Sequence, residues 1–142
     1  MRYPADWRLS SYSTEATIGL SGPARQKLLD SPDSVDITDE LSITVVENPA
    51  RLDIETFANN FDNKWFTSYF STSSLRVGGR TAKRFSDVGA KISHGLFEAV
   101  FIDGGEIVVV FTLNDYVSPE SGRQLNILNQ ILSTFKFIPL EK

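Results

Sequence analysis

The side chain of this sequence best suited to proton transfer near neutral pH is its single histidine, His94. As a general base it would need an orienting carboxylate, either Asp87 or Asp103, and a nucleophile to activate. The sequence contains no Gly-x-Ser-x-Gly turn to present a serine and has no cysteine. One imidazole without cysteine also cannot form a histidine–cysteine zinc site. We therefore predict no catalytic residue, no cofactor and no metal site, with a hydrolase built on His94 and Asp87 as an alternative.

A run of carboxylates without any intervening basic residue could bind a divalent cation or a basic partner. Its members are Asp30, Asp33, Asp36, Asp39 and Glu40. Counted from Asp30, the sixth position of a calcium loop would be Val35, where glycine is required, and the twelfth would be Leu41. The spacing therefore favours a solvated acidic edge.

A basic group surrounds the Gly78-Gly79 pair. It consists of Arg76, Arg80, Lys83, Arg84 and Lys91. Strand alternation places Arg80 and Arg84 on one face and Lys83 on the other, so the positive charge is divided. This group could contact an anionic partner, but protection of an outer strand against edge-to-edge aggregation is the favoured interpretation. A strand follows the two glycines where a phosphate-binding loop would need a helix.

An aromatic cluster is the best candidate for a binding surface. It comprises Trp65, Phe66, Tyr69 and Phe70, and aromatic side chains with polar tips are favoured at interfaces. A cap over the hydrophobic core is the competing interpretation. Together with Arg80 and Arg84, the cluster forms the predicted partner or ligand surface.

Hydrophobic alternation predicts strands through the first third of the chain. One strand spans about Arg8 to Tyr12, and a second contains Ile18 and Leu20 and is ended by Ser21-Gly22-Pro23. The stretch 24–34 predicts one helical turn within a long loop. Residues 35–45 predict one interrupted strand or two short ones.

The middle of the chain predicts a helix and a hairpin. Asp53 has the properties of an N-cap, and an apolar stripe at helical spacing continues from Ile54 to Trp65. Residues 67–74 are rich in serine and threonine and predict a loop. Alternating residues on both sides of Gly78-Gly79 predict a hairpin of strands 75–77 and 81–85.

The last third predicts a long hairpin followed by a helix. Two alternating stretches, 97–102 and 106–113, flank Asp103-Gly104-Gly105, and glycine supplies the positive φ of a tight reversal. Ser118-Pro119 predicts the start of a helix, and Phe135 to Phe137 predicts a short final strand. Runs of strands with short glycine-containing connections indicate an α+β class built on an antiparallel sheet with flanking helices.

Composition narrows the class of protein. The 142 residues carry a net charge of −4, and 41% are hydrophobic, so we expect a single folded domain over 1–142. The acidic balance disfavours a global electrostatic attraction to nucleic acid or to an anionic membrane. No apolar run approaches the roughly 20 residues of a membrane helix, and no hydrophobic leader follows Met1. The chain nevertheless fits an exported domain whose leader or lipid anchor was removed upstream of Arg2.

Three short motifs in this order resemble the PsbP-like family. They are Tyr3-Pro4-x-x-Trp7, the stretch from Gly78-Gly79-Arg80 to Phe85, and the stretch from Ile131 to Phe137 with its Thr-Phe-x-Phe ending. The resemblance implies an α/β/α sandwich on an antiparallel sheet, a fold shared with Mog-type Ran-binding proteins. The basic N-terminal extension of the photosystem members has no counterpart here. A bacterial exported domain therefore fits better than a photosynthetic subunit.

The resemblance implies a non-catalytic module that docks on a partner protein outside the cytoplasm, either secreted, periplasmic or lipid-anchored. Membrane proximity would follow from the lost anchor. A small-ligand or lipid carrier with a pocket at the aromatic cluster is the first alternative, and a cytoplasmic Mog-like partner-binding protein is the second. Fold alone does not decide between them.

Overall fold

The computed structural model describes residues 2, 4–6, 8–12, 17–30, 41–61, 70–87, 96–114 and 121–138. Its centre is a seven-stranded antiparallel sheet with the strand order β1-β2-β3-β7-β6-β5-β4. The strands are β1 (Arg8–Tyr12), β2 (Thr17–Ser21), β3 (Leu41–Glu47), β4 (Phe70–Val77), β5 (Arg80–Asp87), β6 (Leu96–Asp103) and β7 (Ile107–Asn114). Three helices are described: α1 (Pro23–Leu29), α2 (Ile54–Asn60) and α3 (Ser121–Thr134).

Each face of the sheet is covered by a helix. On one face, α3 packs Ile127, Leu128, Ile131 and Leu132 onto the strand residues of the larger core, which include Ala82, Val100, Ile102 and Phe111. On the other face, α2 packs Ile54 and Ala58 onto a second core that includes Phe85, Ala99, Phe101 and Val110. Consecutive residues of β6 alternate between the two cores because side chains of a strand point alternately to opposite faces. The result is a three-layer arrangement of helix, sheet and helix.

The β6–β7 hairpin forms the centre of both cores. Phe101 pairs with Val110 and Ile102 with Val109, and all four side chains are buried. Strands covered on both faces are expected to be apolar at nearly every position, as this hairpin is. The predicted Gly-Gly reversal is confirmed, with Gly105 at a φ of 89°.

Helix α2 begins where its cap was predicted. The Asp53 carboxylate accepts a hydrogen bond from the Thr56 backbone N–H at 2.9 Å, which satisfies one of the free donors of the first turn. The helix ends at Asn60, and Phe61 already has an extended backbone. The predicted helical stripe from Ile54 to Trp65 is therefore wrong at Phe61, and Trp65 lies outside the described residues. Phe61 still packs on the α2 side of the sheet, 5.4 Å from the Phe101 ring centre.

The β4–β5 hairpin is confirmed and is longer than predicted. Gly78 and Gly79 both have positive φ, at 57° and 78°, and form a two-residue turn between the paired residues Val77 and Arg80. The prediction of a loop over 67–74 is wrong for residues 70–74, because these pair with β5. Serine is common in loops, but pairing with an established strand overrides this preference.

Two further predictions are corrected by tertiary packing. Helix α1 makes two turns and starts at Pro23, since proline is well suited to the first helical position. Residues 135–138 form no strand. Phe135 and Phe137 instead lie against the core on the α3 side, and their rings make edge contacts at 5.2 Å. Burial of these rings against the sheet face, and not strand pairing, explains their alternation.

The α+β class with an antiparallel sheet and flanking helices is confirmed. The start of the last helix at 118–119 and the strand residues 35–37 lie outside the described residues. Within the described part of the chain, no helix combines the length and apolarity needed to cross a membrane.

Candidate functional site

A polar cluster lies buried between the sheet and α3. The Arg84 Nε donates to Glu98 Oε2 at 2.6 Å, and the Ser86 hydroxyl donates to the same oxygen at 3.0 Å. The Arg84 Nη1 also donates to Asn129 Oδ1 of α3 at 2.7 Å. The side chains of Glu98 and Arg84 are only 5% and 17% exposed. The cluster ties β5, β6 and α3 together by charge-assisted hydrogen bonds.

A second ion pair lies on the opposite face of the sheet. The Lys83 Nζ is 3.1 Å from Glu55 Oε1 of α2, and the lysine side chain is 11% exposed. The predicted division of the basic group between two faces is therefore confirmed. Each of these two cations holds a helix against the sheet, which is a structural use of the charge.

Arg80 and Arg76 differ from Arg84 in that neither contacts a described carboxylate. The Arg80 guanidinium lies 5.4 Å from the centre of the Phe137 ring, in a cation–π arrangement. The Arg76 Nη2 donates to the Gly79 carbonyl oxygen. Of the two arginines predicted at the partner surface, Arg80 is thus exposed, whereas Arg84 is part of the buried cluster.

The aromatic half of the predicted surface is largely beyond the described residues. Trp65, Phe66 and Tyr69 lie outside them, as does His94. Phe70 is the first residue of β4 and pairs with Asp87 of β5. The structure thereby places the end of the aromatic segment at the start of β4, the last strand in the sheet order.

Strand β4 is an edge of the sheet. Among the described strands it pairs with β5 alone, over eight residues in an uninterrupted one-to-one register. It contains neither proline nor glycine, and Thr72, Ser73 and Ser74 are exposed. Natural edge strands are commonly blocked by proline, lysine or a bulge. Arg76 is the one charged residue of β4, and its guanidinium turns back to the hairpin.

The charged groups offer little to acid–base chemistry in the described region. The N–H and hydroxyl of Thr56 hold the pKa of Asp53 below its ordinary value of 3.8, as expected for a helix cap. Within the described residues, no three carboxylate or imidazole groups lie together in a way that could hold a metal ion. The arrangement can bind through hydrogen bonds and charge, and we assign it no reaction.

Sequence reasoning missed the buried cluster around Glu98. A usable indication was present, because Glu98 occupies the same strand face as the core residues Val100 and Ile102. A charged residue at such a position is almost never left without a partner when buried. Its partner could not be read locally, since Arg84 and Asn129 are far from it in sequence.

Comparison with known proteins adds no family assignment. The chain matches no protein-family model, and the search of curated proteins gives no significant match.

Proposed function

We propose that this chain is a non-catalytic interaction module of the PsbP-like type, which binds a partner protein outside the cytoplasm. The three short sequence motifs support this assignment, and so does the agreement between the expected α/β/α sandwich and the helix–sheet–helix layers. Extracytoplasmic placement rests on the resemblance. The partner is a protein segment, and no nucleic acid is involved because the chain is acidic.

The observation that carries the proposal is that β4, among the described strands, pairs with β5 alone. In a hairpin closed by a two-residue turn, the residues flanking the turn form a hydrogen-bonded pair. Val77, and with it every second residue of β4, therefore directs its backbone groups to β5. The backbone N–H and C=O groups of Thr72, Ser74 and Arg76 consequently point away from the sheet.

These outward groups provide the pattern used in β-strand addition. An extended partner segment can pair with them, and its alternate side chains then lie over the two faces of the sheet. The exposed hydroxyls of Thr72 and Ser74 favour a partner with polar residues on the α2 face. Leu75 lies on the α3 face beside the core, where it favours an apolar partner residue.

The proposal is tested by selecting peptides that bind the domain from a displayed random library, with Ser74 as the site of matched variants. Ser74→Pro removes an outward N–H without removing a hydrogen bond to β5, because proline is tolerated on the open side of an edge strand. Ser74→Ala removes the hydroxyl but keeps the N–H. We expect Ser74→Pro to weaken peptide binding by about tenfold or more and Ser74→Ala by less than about threefold.

Hydrogen exchange gives an independent readout of the same proposal. The amides of Thr72, Ser74 and Arg76 should become protected when a selected peptide is bound. Equal binding by Ser74→Pro and the unchanged chain, or protection confined to other strands, would contradict strand addition at β4. Turnover of any compound in an activity screen would overturn the non-catalytic assignment.

A further inference from the structure

Several cations that pair with no described carboxylate belong to the β4–β5 turn and to the segments that approach it. Four of the described Arg and Lys side chains form salt bridges, namely Arg8, Arg51, Lys83 and Arg84. Others lack a described carboxylate at salt-bridge distance, and four of these lie close to the β4–β5 turn. We call this group the basic corner: Arg2, Arg76, Arg80 and Lys136.

Close approach of the β4–β5 turn to the segment after α3 assembles the basic corner. A Cβ built on Gly78 would lie 2.8 Å from the Phe135 carbonyl oxygen and 3.4 Å from the Lys136 Cα. Lys136 is therefore adjacent to the turn that Arg76 and Arg80 flank. Because glycine alone tolerates this contact, the two segments can approach closely. Strand alternation places Arg80 on the α3 face and Arg76 on the α2 face at this end of the hairpin.

The start of the described chain reaches the same corner. The Arg2 backbone N–H donates to the Thr134 hydroxyl at 2.7 Å, at the last residue of α3. Arg2 is exposed, as are Arg76, Arg80 and Lys136.

Nearby carboxylates do not cancel this charge. In the adjacent β6–β7 turn, Asp103 accepts the Gly105 N–H at 2.8 Å and keeps its single negative charge, whereas Glu106 is paired with Arg51 at 2.8 Å. Glu47 belongs to β3, which lies several strands away from β4 in the sheet order. Asp53 caps α2, and its carboxylate accepts hydrogen bonds from Thr56. Counted over the described residues, the basic corner thus keeps an excess of positive charge, although the whole chain carries −4.

An apolar side chain projects beside these cations. Ile138 is 85% exposed, the highest value among the large hydrophobic residues that the structure describes as exposed. It follows Phe137, whose ring lies under the Arg80 guanidinium. A protruding aliphatic group flanked by cations matches the boundary between lipid headgroups and acyl chains better than it matches an acidic peptide.

We propose that the basic corner is a docking surface for an anionic lipid bilayer. Arg76, Arg80 and Lys136 contact lipid phosphates, for which guanidinium groups are well suited, and Ile138 inserts at the acyl boundary. The attraction is local, since charges separated by more than about 8 Å are screened at physiological salt, so the net charge of −4 does not oppose it strongly. The strands run away from this corner, so a bilayer bound there would not cover the outer side of β4.

The test is cosedimentation of the whole chain with vesicles of equimolar phosphatidylglycerol and phosphatidylcholine, compared with vesicles of phosphatidylcholine alone. We expect binding to the anionic vesicles only. Lys136→Gln should weaken it about fivefold, the equivalent of roughly 1 kcal/mol per cation near the surface. Lys27→Gln is the matched control, because Lys27 is also exposed and has no described carboxylate at salt-bridge distance. It lies on α1, which packs against β2 at the opposite side of the sheet. The Lys27→Gln variant should leave binding unchanged.

Ile138→Ser distinguishes a bilayer from a simpler anion site. We expect it to weaken vesicle binding about tenfold and to leave the melting temperature unchanged, because Ile138 contributes nothing to the core. Equal binding to neutral vesicles, or equal effects of Lys136→Gln and Lys27→Gln, would overturn the proposal. It would also be overturned if inorganic phosphate displaced the chain at concentrations where chloride does not, or if duplex DNA bound more tightly than the anionic vesicles. None of these outcomes depends on strand addition at β4, so the two proposals fail separately.

Discussion

Replacement of Arg84 by methionine tests whether the buried cluster stabilises the fold. Methionine keeps most of the aliphatic stem of arginine and removes the guanidinium. Glu98 would then keep one described donor, the Ser86 hydroxyl, while its carboxylate stays 5% exposed between the sheet and α3. Asn129 also loses its donor, but it is exposed and water can replace the guanidinium.

The expected loss of unfolding free energy is large because the buried Glu98 carboxylate is left without its counterion. Removal of one partner of a buried ion pair lowers the unfolding free energy by about 3–5 kcal/mol, whereas exposed ion pairs contribute about 0–1 kcal/mol. For a domain of this size, the loss corresponds to a melting temperature lower by roughly 10 °C. It is a sizeable part of the about 5–15 kcal/mol that stabilises a typical domain.

The assay is urea unfolding followed by far-UV circular dichroism, with the Arg51→Met variant as control. Arg51 pairs with Glu106 at 2.8 Å, but both side chains are about two thirds exposed, at 68% and 69%. The double variant Arg84→Met/Glu98→Met completes a mutant cycle and should recover at least about 2 kcal/mol relative to Arg84→Met, since no charge is then buried alone.

Two results would refute this reasoning. One is a loss of unfolding free energy for Arg84→Met that equals the small loss for Arg51→Met, which would mean that water reaches Glu98. The other is a double variant no more stable than Arg84→Met, which would mean that the cost is lost packing and not unpaired charge. A changed m-value would instead show that the variant altered the compactness of one of the two states.

Two further predictions concern local backbone contacts. Hydrogen bonds from Thr56 lower the folded-state pKa of Asp53 below 3.8, so the stabilisation from this carboxylate is present above that value and is lost as pH falls through the folded-state pKa. Asp53→Asn should therefore flatten the pH dependence of the unfolding free energy, measured with urea, between about pH 5 and pH 2. An unchanged slope would contradict this prediction. Gly79→Ala should lower the unfolding free energy by about 1–2 kcal/mol because its φ is left-handed. Gly78→Ala should lower it more, because its Cβ also meets the Phe135 carbonyl oxygen, and thermal unfolding measures both losses. Equal losses for the two variants would show that the contact at Gly78 relaxes freely.

The elements that sequence predicts well are those whose determinants lie within a few residues. The Asp53 cap, the Gly78-Gly79 turn and the β6–β7 hairpin depend on contacts between near neighbours, so their residue types are sufficient to place them. Predictions failed where a distant segment decides the conformation. Residues 70–74 look like a loop until β5 is available to pair with them, and residues 135–137 look like a strand until they are seen packed on the sheet face.

For the candidate surfaces, too, local sequence patterns predict part of the arrangement and distant segments decide the rest. Alternation along β5 correctly places Arg80 and Arg84 on one face, yet only the register of β6 and the position of α3 show that Arg84 is buried against Glu98 and that Arg80 remains exposed. The aromatic cluster at 65–70 stays a prediction except for Phe70, which the structure places at the start of the edge strand.

By itself, the sequence determined the α+β class, the hairpins and the faces of the strands, because side-chain periodicity and turn chemistry act over short stretches of chain. Only the tertiary structure decided that β4 is an edge among the described strands and that Glu98 has a guanidinium partner. It also brought the β4–β5 turn and the Arg2 backbone to the end of α3. These features arise from strand order and from contacts between residues up to 132 positions apart. Such contacts form only when the buried faces of the sheet and helices come together, and no local pattern encodes which distant groups then become neighbours.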